Sequence, residues 1–178
     1  MNGLKEKIQN AKSQKGFTII EVVLVLAIAG LIFLMVFIAL PALQRNQRDT
    51  QRKNDMGRLS TAIVNYTNSN RGKLPASDNA GYASFVNSYL VTGGDTFIDP
   101  SGARTSGTGA QPSDQATYAL TINTDATLSK TFSDSQNVIY VSPTFICADS
   151  SDSIVAGGTR KVAFRMVLES GGYYCVNN

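Results

Sequence analysis

The chain has 178 residues, 43% of them hydrophobic, and a formal net charge of +3, which fits one domain of modest size with an appendage. It contains no histidine and two cysteines, which excludes Ser-His-Asp and Cys-His catalysis, histidine-ligated zinc and four-thiolate metal sites. The charge is local: Lys5, Lys7, Lys12 and Lys15 stand against Glu6 in residues 1–16, and setting those five aside leaves 12 of the 16 basic and 12 of the 13 acidic residues, so the basic balance describes the N-terminus and is poor evidence for nucleic-acid binding.

The first element is an apolar run at 17–40, FTIIEVVLVLAIAGLIFLMVFIAL, with Glu21 as its single charge. As a helix it spans about 36 Å, enough for a hydrocarbon core of about 30 Å. A secretory signal peptide would be shorter and end in small residues at a cleavage site, whereas Pro41-Ala42-Leu43-Gln44 follows here. Hydrophobicity alone therefore predicts a transmembrane anchor at 17–43. Two details go beyond an anchor. Gly16 marks the boundary between the polar and apolar stretches, and Glu21 places in the run a carboxylate that costs about 2.5–3.5 kcal/mol at the centre of a bilayer. No partner for Glu21 is expected within one helical turn.

Lys15-Gly16-Phe17-Thr18-Ile19-Ile20-Glu21-Val22 resembles the type IV prepilin processing motif, in which a basic leader ends in Gly and is followed by Phe-Thr, two aliphatic residues, Glu and an apolar helix. The resemblance implies that a prepilin peptidase removes leader 1–16 by cutting between Gly16 and Phe17, and that Phe17 becomes the N-methylated terminus. It implies further that Glu21 neutralises the terminal amine of a neighbouring subunit. Each charge is costly alone in lipid, and pairing offsets both costs while favouring one axial stagger. The implied partners are copies of the same chain in a helical filament, the cytoplasmic membrane before assembly, an assembly platform with its ATPase, and a host surface or DNA outside. No cofactor is implied.

Residues 44–72 continue the helix as an amphipathic segment, with Gly72 and Pro75 suiting its end. Met56, Leu59, Ile63 and Tyr66 are spaced 3, 4 and 3 apart, which places them on one face, toward a sheet. Asp49 and Lys53 form an i, i+4 pair. Residues 44–55 lack a large apolar side chain and read as too polar for a core. Their arginines are taken as a solvated surface or, more sharply, as partners for acidic groups on adjacent subunits, with Arg45 and Arg48 as the test positions. Gly30 and Pro41 are weak points in the helix, and residues 30–41 are expected to bend or unwind on assembly.

The head, 73–178, begins irregularly. Residues 82–90 predict a short helix with Tyr82, Phe85, Val86, Tyr89 and Leu90 on its apolar side. Residues 99–115 read as a loop, and strands are expected at 116–122, 137–142, 161–168 and 173–176, with turns at Gly157-Gly158 and Gly171-Gly172. One long helix before several close strands argues for an α+β fold with the helix packed on an antiparallel sheet. Cys147 and Cys175 lie where their position resembles the disulfide-bounded C-terminal loop of type IV pilins. An exported domain favours their oxidation, and the bridge would close a loop of about 28 residues, stabilising by roughly 3–4 kcal/mol; two unpaired buried thiols are the alternative. Asp149-Ser-Ser-Asp152-Ser reads as a solvated turn before a Ca²⁺ loop, and Asn65-Tyr66-Thr67 matches a glycosylation sequon.

The reading is of a structural filament subunit and not an enzyme, since no paired carboxylates or activated nucleophile stand out. A pseudopilin of a type II secretion system would share the leader and helix. A membrane-anchored extracellular binding domain would share only the helix.

Overall fold

The computed structural model describes residues 16–92, 97–101, 118–135 and 137–178. The predicted 99–115 loop therefore lies outside the described residues beyond Ser101, as does the leader before Gly16. Backbone contacts divide the chain into two compact units, meeting at Pro41 and Ala42. One helix, α1 (Ile19–Ser69), supplies residues to both.

In the first unit the apolar side chains are bare. Phe17 is 88% exposed, Leu24 57% and Phe37 75%, so the described residues of this unit form no core. The helix is the one among the described residues that is long and apolar enough to cross a membrane. Its assignment is continuous through Gly30 and Pro41, although Pro41 cannot donate to the carbonyl of Phe37.

In the second unit α1 ends at Ser69, close to the expected stop. Arg71 and Gly72 take positive φ, 57° and 79°, and the Gly72 amide donates to the Thr67 carbonyl. A Cβ at Gly72 would meet only the Arg160 guanidinium, at 2.9 Å, which a flexible side chain can move aside, so it is the conformation that calls for glycine. Helix α2 (Asn79–Val86) follows, capped by Asp78, whose carboxylate accepts from the Gly81 amide, and it runs on into a π-helical turn, Asn87–Val91.

Six strands follow: β1 (Ala119–Ile122), β2 (Val138–Pro143), β3 (Phe145–Cys147), β4 (Ile154–Ala156), β5 (Val162–Val167) and β6 (Tyr173–Asn177). They form a four-stranded sheet in the order β1-β2-β5-β6 and a two-stranded sheet, β3-β4. The α+β class holds, and the sheet is antiparallel except at one edge. β1 runs parallel to β2, with Ala119 opposite Val138, because residues 123–137 make a crossover of the dozen or more residues that a parallel neighbour needs. The β3-β4 pair is an addition to the expected strands. Phe-Ile-Cys and Ile-Val-Ala flank the Asp149–Ser153 turn as a hairpin.

Strand alternation divides the buried residues between two sheet faces. Ile139, Val141, Phe164 and Met166 meet Met56, Leu59 and Ile63 of α1 and Tyr82 and Phe85 of α2 in the main core, while Tyr140 and Val167 pack with Leu128 on the other face. The Met56–Ile63 stripe and the apolar side of 82–90 are thus core, as expected.

The three largest fully buried side chains among the described residues carry polar groups and depart from that apolar plan. Tyr82 is fully buried and its hydroxyl finds no hydrogen-bond partner among the described residues, so burial pushes its ionisation well above the ordinary tyrosine range. An unpartnered buried hydroxyl costs about 1–3 kcal/mol; Tyr82→Phe should leave the thermal midpoint unchanged or raise it by a few degrees, and a clear fall in a melt of the detergent-solubilised chain would contradict this. Arg165, also fully buried, donates to the carbonyls of Asn123, Asp125 and Asp152 and to the Asn123 and Ser142 side chains. Its guanidinium supplies the positive charge that these oxygens face, and the Asp152 carbonyl, read from sequence within a possible Ca²⁺ loop, is spent on it. Arg52 is the third and is described below.

Candidate functional site

The site is built on the start of α1. Gly16, Phe17 and Thr18 precede the helix, and Thr18 is its N-cap. The Glu21 amide donates to the Thr18 carbonyl at 3.1 Å and reaches the Thr18 hydroxyl at 3.4 Å. In return Glu21 Oε2 accepts from the Thr18 amide at 3.0 Å and from the Thr18 hydroxyl at 2.8 Å. This reciprocal pairing is a capping box, and it satisfies donors that a helix start otherwise leaves open. Glu21 is therefore not without a partner inside one turn, which corrects the sequence expectation. The signal is present in the sequence as Thr-x-x-Glu before an apolar run.

Gly16 and Phe17 make no such bonds with the described residues. A Cβ added at Gly16 would meet no described atom within 4 Å, and its φ is not in the left-handed region. Among the described residues the fold places no demand for glycine at 16. The same holds at Gly30.

The arginines after the apolar run are not placed as the sequence reading had them. Asp49, Arg52 and Asp55 are buried, at 3%, 1% and 4% exposure, in a stretch that reads as too polar for a core. Arg52 donates to both oxygens of Asp99, at 2.7 and 3.0 Å, to Asp49 at 2.9 Å and to Glu169 at 3.2 Å. Arg48 pairs with Glu169 through both carboxylate oxygens, and Arg58 with Asp55 at 2.8 Å. Asp49 also accepts from the amides of Glu169 and Ser170 at the β5-β6 turn. Arg48, Arg52 and Arg58 are thus engaged within the head. Asp49 takes Arg52 as its partner and Lys53 lies over the Tyr174 ring, so the expected Asp49–Lys53 pair is replaced. Sequence spacing missed this because Asp99 and Glu169 are remote in the chain.

Electrostatics follow the geometry. Burial would raise the Asp49 and Asp99 carboxyls, but bonds from Ser170, Glu169 and Arg52 in the first case and from Arg52 and Ser101 in the second hold both below the ordinary carboxylate range. The Arg48 bond does the same for Glu169. For Asp55 burial wins, and its carboxyl is raised despite bonds from Tyr118 and Arg58.

Cys147 and Cys175 are joined by a disulfide, with Cα atoms 5.9 Å apart, which ties β3 to β6. Among the described residues no group of three or more His, Cys, Asp or Glu could hold a metal ion.

A bare apolar helix near the N-terminus, followed by an α+β head with a disulfide, fits a membrane-anchored precursor. Residues 11–37 match the family model of the prokaryotic N-terminal methylation motif, and the chain carries the leader signature of type IV prepilins. That motif supports a type IV pilin-like or pseudopilin precursor and implies processing by a prepilin peptidase and assembly into pilus-like filaments. No curated protein and no solved structure matches the chain.

Proposed function

We propose that the chain is the precursor of a major subunit of an extracellular type IV pilus. Leader 1–16 lies on the cytoplasmic side and is removed by the prepilin peptidase at the Gly16–Phe17 bond; Phe17 is then N-methylated. Residues 17–43 hold the mature chain in the membrane until an ATPase-driven platform transfers it to the filament, where adhesion, motility or DNA uptake is served by the head.

One observation carries this reading: a Gly16–Phe17 junction with no structural demand for glycine, set four residues before a carboxylate inside a membrane-length apolar run. The bare surface of that run favours assembly, since copies of the same helix cover it once it leaves the lipid. Gly30 and Pro41 are the points at which α1 loosens as it does so, because Pro41 removes one helical bond and Gly30 is a weak helix former.

Mass spectrometry of the mature N-terminus is the test. The expected product begins at Phe17, one methyl group heavier than the unmodified residue. A mature protein retaining Met1-Asn2-Gly3 would sink the reading in favour of a plain membrane anchor. Isolation of surface filaments then separates the pilus subunit from a pseudopilin, which would be processed identically but be missing from extended filaments.

A further inference from the structure

Exposed cations gather where α1 ends. Arg71 and Lys73 flank Gly72 just past the helix, and Arg160 and Lys161 stand together in the connection from β4 to β5. The fold brings the two pairs into one place. The Arg160 guanidinium lies against Gly72, with Nε and Cζ each 2.9 Å from where a Cβ would stand, so its charge sits beside the turn that carries Arg71 and Lys73. Lys161 is tied down next to it, its Nζ donating to the Asn178 carbonyl at 2.6 Å.

Arg71, Lys73 and Arg160 have no acid within salt-bridge distance among the described residues. The acids nearest to them along the chain are engaged elsewhere: Asp78 accepts from the Gly81 amide, Asp152 from Ser153, and Glu169 from Arg48 and Arg52. The helix macrodipole does not account for the cluster. Its pull on cations fades beyond the last turn, the last turn of α1 holds no basic residue, and Arg160 arrives from a different element. Composition hides the cluster, because acids that balance the count, Asp49, Asp55 and Asp99, are buried against Arg52 and Arg58.

We propose that this end of the head binds the phosphate backbone of duplex DNA. Charge concentration selects the partner. Cations crowded around one glycine repel one another, and a polyanion with equally close charges relieves them best; duplex DNA carries one charge per about 1.7 Å of its axis. The guanidinium forks of Arg71 and Arg160 suit phosphate oxygens, which they can take two at a time. A single strand is gripped through stacked rings as well, whereas the cations that lie over aromatic rings among the described residues are Arg52 and Lys53. Contacts of this kind hold the backbone and leave base sequence unread. The proposal rests on the reading above only in placing the head where DNA outside the cell can reach it.

The detergent-solubilised full chain, immobilised and exposed to a short duplex of mixed sequence, tests it. Binding should weaken at least tenfold between about 50 and 200 mM salt, as release of counterions from three phosphates requires, and should be indifferent to sequence. The leader's lysines bind DNA on their own account, so each variant is compared with unaltered chain of the same N-terminus. Arg71→Gln, Lys73→Gln and Arg160→Gln together should lower affinity at the lower salt at least tenfold and leave the thermal midpoint unchanged; unchanged affinity would overturn the proposal. Lys130→Gln, at an exposed cation outside the cluster, should bind as the unaltered chain does, and a loss equal to that of the triple variant would overturn the proposal by making net charge the cause. Arg160→Glu alone is the second arm should the triple variant melt lower: affinity at least fivefold weaker is expected, and no change would overturn the proposal. Tighter binding of a single strand than of the duplex would overturn the choice of partner. None of these measurements needs a filament, so their failure leaves the filament reading intact, and a chain that retains Met1-Asn2-Gly3 sinks that reading without touching the site.

Discussion

Glu21→Gln should abolish filaments while leaving a membrane pool of cleaved subunit. The choice of Gln isolates the charge. Glutamine at the third helical position closes a capping box as glutamate does, so the bonds with Thr18 at 2.8 and 3.0 Å have a replacement and the helix start survives. What is lost is the negative charge proposed to meet the Phe17 amine of a neighbour. An amine left unpaired in an apolar environment costs about 3–5 kcal/mol relative to the paired state, which at 1.4 kcal/mol per decade weakens each addition by at least a hundredfold. The measurement is sheared-filament yield set against membrane-pool subunit, with the N-terminus of the pool identified by mass. Thr18→Val is the companion. It removes the hydroxyl of the capping box but leaves both the Thr18-position amide and the Glu21 charge, so its effect on yield should be much smaller. Normal filament yield from Glu21→Gln would remove charge pairing as the basis of assembly.

The two variants also show what was legible in the sequence. The motif around Gly16, Phe17 and Glu21 is local, and local spacing suffices to find it. The core stripe of Met56, Leu59 and Ile63 was equally open to reading, because helical periodicity is carried by neighbours in sequence. Four of the strands were visible for the same reason. The parallel β1-β2 edge was not, since strand direction depends on where residues 123–137 travel. The ionic network escaped for a related cause: Arg52 reads as surface until Asp99 and Glu169, 47 and 117 residues away, are known to stand beside it. Thr18 is a different kind of omission. Its pairing with Glu21 spans three residues and is local, but it brings a hydroxyl and an amide to the carboxylate instead of an opposite charge.

The network makes the second large prediction. Arg52→Met should lower the thermal midpoint of the solubilised chain by roughly 10–15 °C, the equivalent of about 3–5 kcal/mol for a buried ion pair broken from one side. Methionine restores much of the volume, but Asp49 and Asp99, at 3% and 1% exposure, lose the guanidinium that both share. Asp99 loses a two-pronged contact, which a lysine ammonium cannot reproduce, so Arg52→Lys should fall between the two. The pH dependence gives a readout that packing alone would not move. Asp49, Asp99 and Glu169 are held below their unfolded values, so their contribution is present above the unfolded carboxylate range near about 4 and is lost as pH falls through the folded values. Asp55 has the opposite sign: raised by burial, it favours the folded state at low pH and costs stability once ionised. In Arg52→Met Asp99 loses the largest bond that offsets its burial and moves toward that behaviour, while Asp49 keeps its bonds from Ser170 and Glu169. The gap in midpoint between the unaltered chain and the variant should therefore be widest near neutrality and narrow as pH drops below about 4. A gap that stays constant across that range would assign the loss to packing and leave the charge network without a role in holding the β5-β6 turn against α1.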